Sequence, residues 1–139
     1  MPGKKRSKKG GQLRNRRVFL NIPYSASYER LFVAMTTALV TVNAEPVLTF
    51  DISEVGEGRL HRILRAINQC RVSIHDLSYA SGRSARFNMP FELGLAYALH
   101  QKRKAHDFRI MESREYRLQM TLSDLNGIEP FVHNRRPKK

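Results

Sequence analysis

Cys70 is the chain's one cysteine, so no internal disulfide can staple the fold, and its helical apolar setting reads as a semi-buried thiol of a reducing compartment. No stretch approaches the roughly 20 apolar residues of a membrane span. The basic N-terminus lacks the apolar run of a signal peptide. These absences lead to the expectation of a soluble, cytoplasmic protein with no membrane partner. Ligands for a structural zinc site are too few, and neither a Walker loop nor a Gly-x-Gly-x-x-Gly fingerprint occurs, so no metal and no cofactor is expected.

Acid is absent from the first 17 residues, which hold Lys4, Lys5, Arg6, Lys8, Lys9, Arg14, Arg16 and Arg17. The last five residues add Arg135, Arg136, Lys138 and Lys139, so the two ends carry twelve of the 25 basic residues. Residues 18–134 then hold 13 basic against 12 acidic groups and are close to neutral. The net charge of +13 therefore describes the tails, through which weak, non-specific nucleic-acid contact is expected. A dedicated nucleic-acid groove is disfavoured, because the near-neutral middle has no aromatic-plus-basic motif. Residues 1–15 have almost nothing to bury and are expected to be disordered. That leaves one domain at 16–134 and a basic tail at 135–139, and the 41% hydrophobic content suffices for one core.

Strand and helix signals alternate along that domain. Val18–Ile22 reads as a buried strand closed by Pro23, and Ser25 or Ser27 can cap the helix that follows. Tyr28, Phe32, Met35, Leu39 and Val42 recur at helical spacing over 28–42. Pro46–Phe50 is a second strand and 51–58 a surface loop. Leu60, Ile63, Leu64 and Ile67 predict a buried stripe on a second helix, with Arg59, Arg62 and Arg65 on its solvated side. Val72–Ile74 forms a third strand ending on His75 and Asp76, followed by a polar loop over 78–86. Pro90 suits the first turn of a helix running to Gln101. Phe108–Met111, a helix over 115–125 and a strand over 128–132 complete the pattern.

This alternation predicts an α/β, flavodoxin-like three-layer sandwich with a five-stranded parallel sheet in the order 2-1-3-4-5. Ligands in such sheets lie at the carboxyl ends of the strands that flank the order reversal. Those are strands one and three, which points to Asn21, Pro23 and Tyr24, and to His75, Asp76 and Ser78. At its strand end, Asp76 can accept ligand hydrogen bonds or cap its own loop; both readings stay open. Glu92 falls in an apolar first turn with Phe91, Leu93, Gly94 and Leu95, where a ligand-facing carboxylate is a natural reading. Strand alternation turns His75 away from Asp76 and makes it a core or interface histidine.

Three segments carry a resemblance: Val18–Tyr24, Ser73–Ser78 and Arg86–Leu99, the last reading Arg-Phe-Asn-Met-Pro-Phe-Glu-Leu-Gly-Leu-Ala-Tyr-Ala-Leu. Over residues 18–133 the chain resembles the nucleoside deoxyribosyltransferase and TIR-like nucleotide-binding superfamily, most closely a group of bacterial TIR-like proteins. The resemblance implies that Glu92 acts on the anomeric carbon of a ribosyl or deoxyribosyl group, by attack or by stabilising an oxocarbenium-like transition state. It implies further that Asp76 helps to place the sugar and that Tyr24 borders the site. The deoxyribosyltransferases carry a base-handling aspartate six residues before the glutamate, and Arg86 stands at that position here. Asn88 can contact a base or pyrophosphate, or cap the helix. Arg83 and Arg86 can hold phosphates or be solvated. With no clear helix after the fifth strand, a second subunit is expected to cover the sheet, giving a homo-oligomer.

Two functions follow as expectations. The first is an N-glycosidase, a glycosyl hydrolase or transferase, acting on NAD or a related nucleotide or nucleoside through Glu92. The second is a non-catalytic nucleotide-sensing or TIR-type interaction module using the same crevice.

Overall fold

The computed structural model describes residues 15–49, 58–80, 82–83 and 85–136. The basic tail at 1–14, residues 137–139, Phe50 and the acidic loop at 51–57 lie outside the described residues. Strand β1 (Arg17–Asn21) leads through a 3-10 turn (Ala26–Tyr28) into helix α1 (Glu29–Thr41). Strand β2 (Glu45–Leu48), helix α2 (Arg59–Gln69), strand β3 (Val72–Asp76) and helix α3 (Asn88–Lys102) follow. Strand β4 (Asp107–Glu112), a short helix α4 (Arg117–Thr121), a 3-10 turn (Ser123–Leu125) and strand β5 (Phe131–Val132) complete the chain. All strand pairs are parallel, in the expected order β2-β1-β3-β4-β5.

Side-chain alternation along β1 sorts the core into two faces. Val18, Leu20 and Ile22 pack with Tyr28 and Leu31 beneath α1. Phe19 faces the other way, against Ile63, Ala66 and Ile67 of α2 and Ala96 of α3. Fully burying one such side chain contributes about 1.5–3 kcal/mol. On β3, Ile74 joins the α1 face, whereas Ser73 and His75 lie beside Phe19 and Asn21, their register partners on β1. A third cluster, Leu77, Met89, Leu93, Ile110 and Leu118, ties α3 and α4 to the sheet. Among the described residues no helix is long and apolar enough to cross a membrane.

Several local expectations need correction. On α2 the buried face is Ile63, Ala66 and Ile67, while Leu60 and Leu64 are 45% and 39% exposed. The helix turns a narrower stripe to Phe19 and Val47 than the run of apolar residues suggested. Leu64 instead borders a shallow groove with Leu95 and Leu99. Val42 is exposed just past the end of α1, and Leu31 takes a buried place that the spacing did not single out. Neither Ser25 nor Ser27 caps a helix: Ser25 takes the N-cap position of the 3-10 turn but makes no side-chain cap bond, and the two hydroxyls lie 3.1 Å apart. The helix expected over 115–125 breaks at Leu122, where α4 gives way to the 3-10 turn. Strand β5 is two residues long. Cys70 is fully buried, and burial pushes its thiol up to about 12, which leaves it unreactive.

Candidate functional site

A cleft opens at the carboxyl edge of the sheet. Asn21, Ile22, Tyr24, Thr49, Arg59, Arg86, Asn88, Met89 and Glu92 line it, around a cavity of about 90 Å³. Of the residues singled out in the sequence, Asn21, Tyr24, Arg86, Asn88 and Glu92 meet here. Pro23 lines an adjoining pocket of about 270 Å³ with Tyr24, Ser25, Ala26, Glu29 and Phe32, so Tyr24 stands between the two cavities. The Tyr24 hydroxyl lies 3.2 Å from Thr49 Oγ1.

Glu92 is 3% exposed. It is the fifth residue of α3, in the second turn, so the expected first-turn position and its dipole stabilisation do not hold. Burial pushes its carboxyl above the usual carboxylate range, against opposing pulls from Asn88 and the Arg59 guanidinium. Asn88 Nδ2 donates to Glu92 Oε1 at 3.5 Å, one helical turn away. Asn88 is not the helix cap, a position taken by Phe87. Arg59, expected on a solvated face, begins α2 and reaches the cleft.

Asn21 is held from below by a chain of buried polar groups. Its Nδ2 donates to the Met89 carbonyl at 2.9 Å and to His75 Nδ1 at 3.0 Å. His75 Nε2 lies 2.9 Å from Ser73 Oγ, which lies 3.0 Å from His106 Nε2, and His106 Nδ1 lies 3.1 Å from the Cys70 carbonyl. A carbonyl only accepts, so His106 Nδ1 carries the proton and its Nε2 accepts from Ser73. Ser73 in turn accepts from His75 Nε2, and His75 Nδ1 accepts from Asn21. Every donor direction is thereby set, provided both rings are neutral. Burial keeps them so: it pushes His75 down to about 3 and His106 down as well. With both amide protons committed, Asn21 offers its Oδ1 to the cleft.

Asp76 and Ser78 do not line the cleft. The alternation expected for β3 holds, but the cleft lies on the His75 side of the sheet and Asp76 on the α1 side. Asp76 is fully buried. Its Oδ1 accepts from the Ser78 N–H at 2.9 Å and from the Ser78 hydroxyl; its Oδ2 accepts from the Tyr28 hydroxyl and from His133 Nε2 at 2.8 Å. The Ser78 bonds are those of the loop-capping alternative. Burial alone would push this carboxyl up, and the bonds from His133, Ser78 and Tyr28 outweigh it, holding Asp76 below its usual range. The Arg135 N–H donates to His133 Nδ1 at 2.9 Å, so the proton of a neutral ring sits on Nε2 and points at Asp76.

Thr49, Met89 and His133 carry no mark in the sequence, and Arg59 stands there only as a solvated cation. The signal lay in topology: residues that begin a helix or follow a strand in a parallel α/β sheet gather at its carboxyl edge. Among the described residues no group of three or more His, Cys, Asp or Glu side chains is placed to hold a metal ion.

The fold is shared with a solved 2-desoxiribosyltransferase from Leishmania mexicana, at a TM-score of 0.57 and 15% sequence identity, over 84% of this chain and 89% of that one. No family model matches the sequence, and no curated protein matches it. The similarity supports a deoxyribosyltransferase-like, flavodoxin-like fold.

Proposed function

We propose that this protein acts on the N-glycosidic bond of a nucleotide or nucleoside, with NAD or a related compound among the candidates, and that Glu92 meets the anomeric carbon. The observation that carries this reading is a nearly buried carboxyl on the wall of a small polar cleft beside a larger, mainly apolar pocket. The polar lining of the cleft suits the hydroxyls of a sugar, and the neighbouring, mainly apolar pocket, with Pro23, Tyr24 and Phe32, suits a base.

As the C–N bond breaks, its electron pair leaves with the base and positive charge develops at the anomeric carbon. A carboxylate fixed in a dry wall stabilises that charge or adds to the carbon, and water or a second base then completes the reaction. Asn88 steadies Glu92 Oε1, and Asn21 Oδ1 is set to accept from a sugar hydroxyl. In this reading Asp76 and Ser78 support the site from behind. The fold shared with a deoxyribosyltransferase is consistent with this class of chemistry.

A second reading, nucleotide sensing without turnover, draws on Arg86, a cation on the cleft wall where the resemblance leads one to expect a base-handling acid. Self-association belongs to either reading: Phe87 and Phe91, exposed one turn apart on α3 beside the cleft, are 76% and 54% accessible. Incubating the purified protein with NAD, nucleoside monophosphates and nucleosides, and following free base by chromatography, separates the two. Base release supports the first reading; saturable binding with no base released from any of them supports the second.

A further inference from the structure

Beside the cleft mouth three loops converge: the one after β1, the one after β3 and the turn after β5. The Tyr79 hydroxyl lies 2.8 Å from Ser27 Oγ. Two guanidinium groups approach the Tyr79 ring, Arg86 at 5.9 Å and Arg135 at 5.8 Å from its centroid. Neither arginine makes an ion pair among the described residues. Each gains a cation–π attraction from the ring, while the two like charges repel one another. Their N–H forks stay available for an anion.

Arg135 is brought there by a turn that a free tail has no reason to adopt. Asn134 and Arg135 have φ of 51° and 56°, a left-handed conformation that disfavours a residue such as arginine. The turn closes through the Arg136 N–H to the His133 carbonyl at 2.9 Å. It is anchored by the Arg135 N–H to His133 Nδ1, and thence by His133 Nε2 to buried Asp76. The buried pair thus holds Arg135 toward Tyr79, although in the sequence Arg135 counted only as part of a basic tail. Arg86 belongs both to this cluster and to the wall of the Glu92 cleft.

We propose that Arg86 and Arg135, gathered at Tyr79, form a subsite for a phosphate group of the ligand, so that the preferred ligand is a phosphorylated nucleoside and not a free one. The inference rests on the reading of the cleft as a sugar site, because Arg86 then places the phosphate next to the sugar.

The test is titration calorimetry at low salt with adenosine, AMP and ADP, on the wild-type protein, Arg135→Gln and Arg109→Gln. The last removes the same charge from an exposed residue of β4 that pairs with Asp107. The wild type should bind AMP or ADP at least about tenfold more tightly than adenosine, the scale of a charge-assisted hydrogen-bonded contact. Arg135→Gln should reduce that ratio at least about fivefold and Arg109→Gln should leave it. A wild-type ratio near one, no binding of ADP at millimolar concentration, or equal loss in both variants overturns the subsite. Base release assayed in parallel separates the two proposals. An Arg135-dependent ratio without turnover keeps the subsite and sinks the glycosidic reading. Glu92-dependent turnover at equal rates on adenosine and AMP, with Arg135→Gln silent, does the reverse.

Discussion

Asn21 and His75 are register partners on β1 and β3, and the Asn21 amide donates to His75 Nδ1 across 3.0 Å. The pair links the cleft to a run of buried polar groups that ends at the Cys70 carbonyl, and it fixes which atom of Asn21 faces a ligand. Breaking the run should be costly. Ser73→Ala strands the His75 N–H and the His106 lone pair, each in a buried setting, at about 1–3 kcal/mol per group. Urea unfolding should show a loss of about 2–6 kcal/mol for the two groups together, with the slope unchanged. A change under about 0.5 kcal/mol would mean that the rings find other partners.

The same run makes stability depend on pH. His75 titrates near 3 when folded and near 6.5 when free, so between those values the unfolded chain binds more protons. Its stabilising contribution is complete above about 6.5 and falls as the pH drops toward 3, by up to about 1.4 kcal/mol per pH unit. Asp76, held low, loses its contribution in the same direction but only below its ordinary range near 3.8. Glu92 and Glu112, both held high by burial, act in the opposite sense and lose theirs as pH rises through their folded values. Comparing wild type with His75→Gln isolates the histidine: the variant should lose slope between pH 4.5 and 6.5 and little above it. Parallel profiles for the two proteins would contradict this assignment.

Helix α2 offers a packing test. Ile67 is 1% exposed and Leu64 is 39% exposed. Ile67→Ala should cost about 2–5 kcal/mol, as large-to-small core changes do. Leu64→Ala, at the edge of the groove with Leu95 and Leu99, should cost under about 1 kcal/mol. Equal losses in thermal or urea unfolding would restore Leu64 to the core.

The contrast between those two residues shows where sequence reading reaches its limit. Periodicity placed α2 and the strand order correctly, because alternating strands and helices leave few topologies. It could not say which 100° of the helix meets the sheet when four neighbouring positions are all apolar. The placement of Glu92 and Asn21 at the carboxyl edge is legible from the edge rule and the local motif. Asp76 was legible as a strand-end acid, but not its facing, since alternation gives relative and not absolute sides. The partners that define its role, Tyr28 and His133, lie 48 and 57 residues away and meet it only in the folded chain. Arg59 and Arg135 illustrate the same limit: one reads as a solvated helix residue and the other as part of a basic tail, and only topology brings them to the cleft and to Tyr79.

Glu92→Gln tests the role of the Glu92 carboxylate most directly, because shape and hydrogen-bonding capacity are kept while the charge is removed. Base release from the best substrate should be measured for both proteins together with ligand affinity and melting temperature. Turnover should fall about 10²–10³-fold, the scale of losing a main electrostatic stabiliser, with affinity and melting little changed. Turnover in Glu92→Gln equal to wild type, in a protein that still folds and binds, would contradict it.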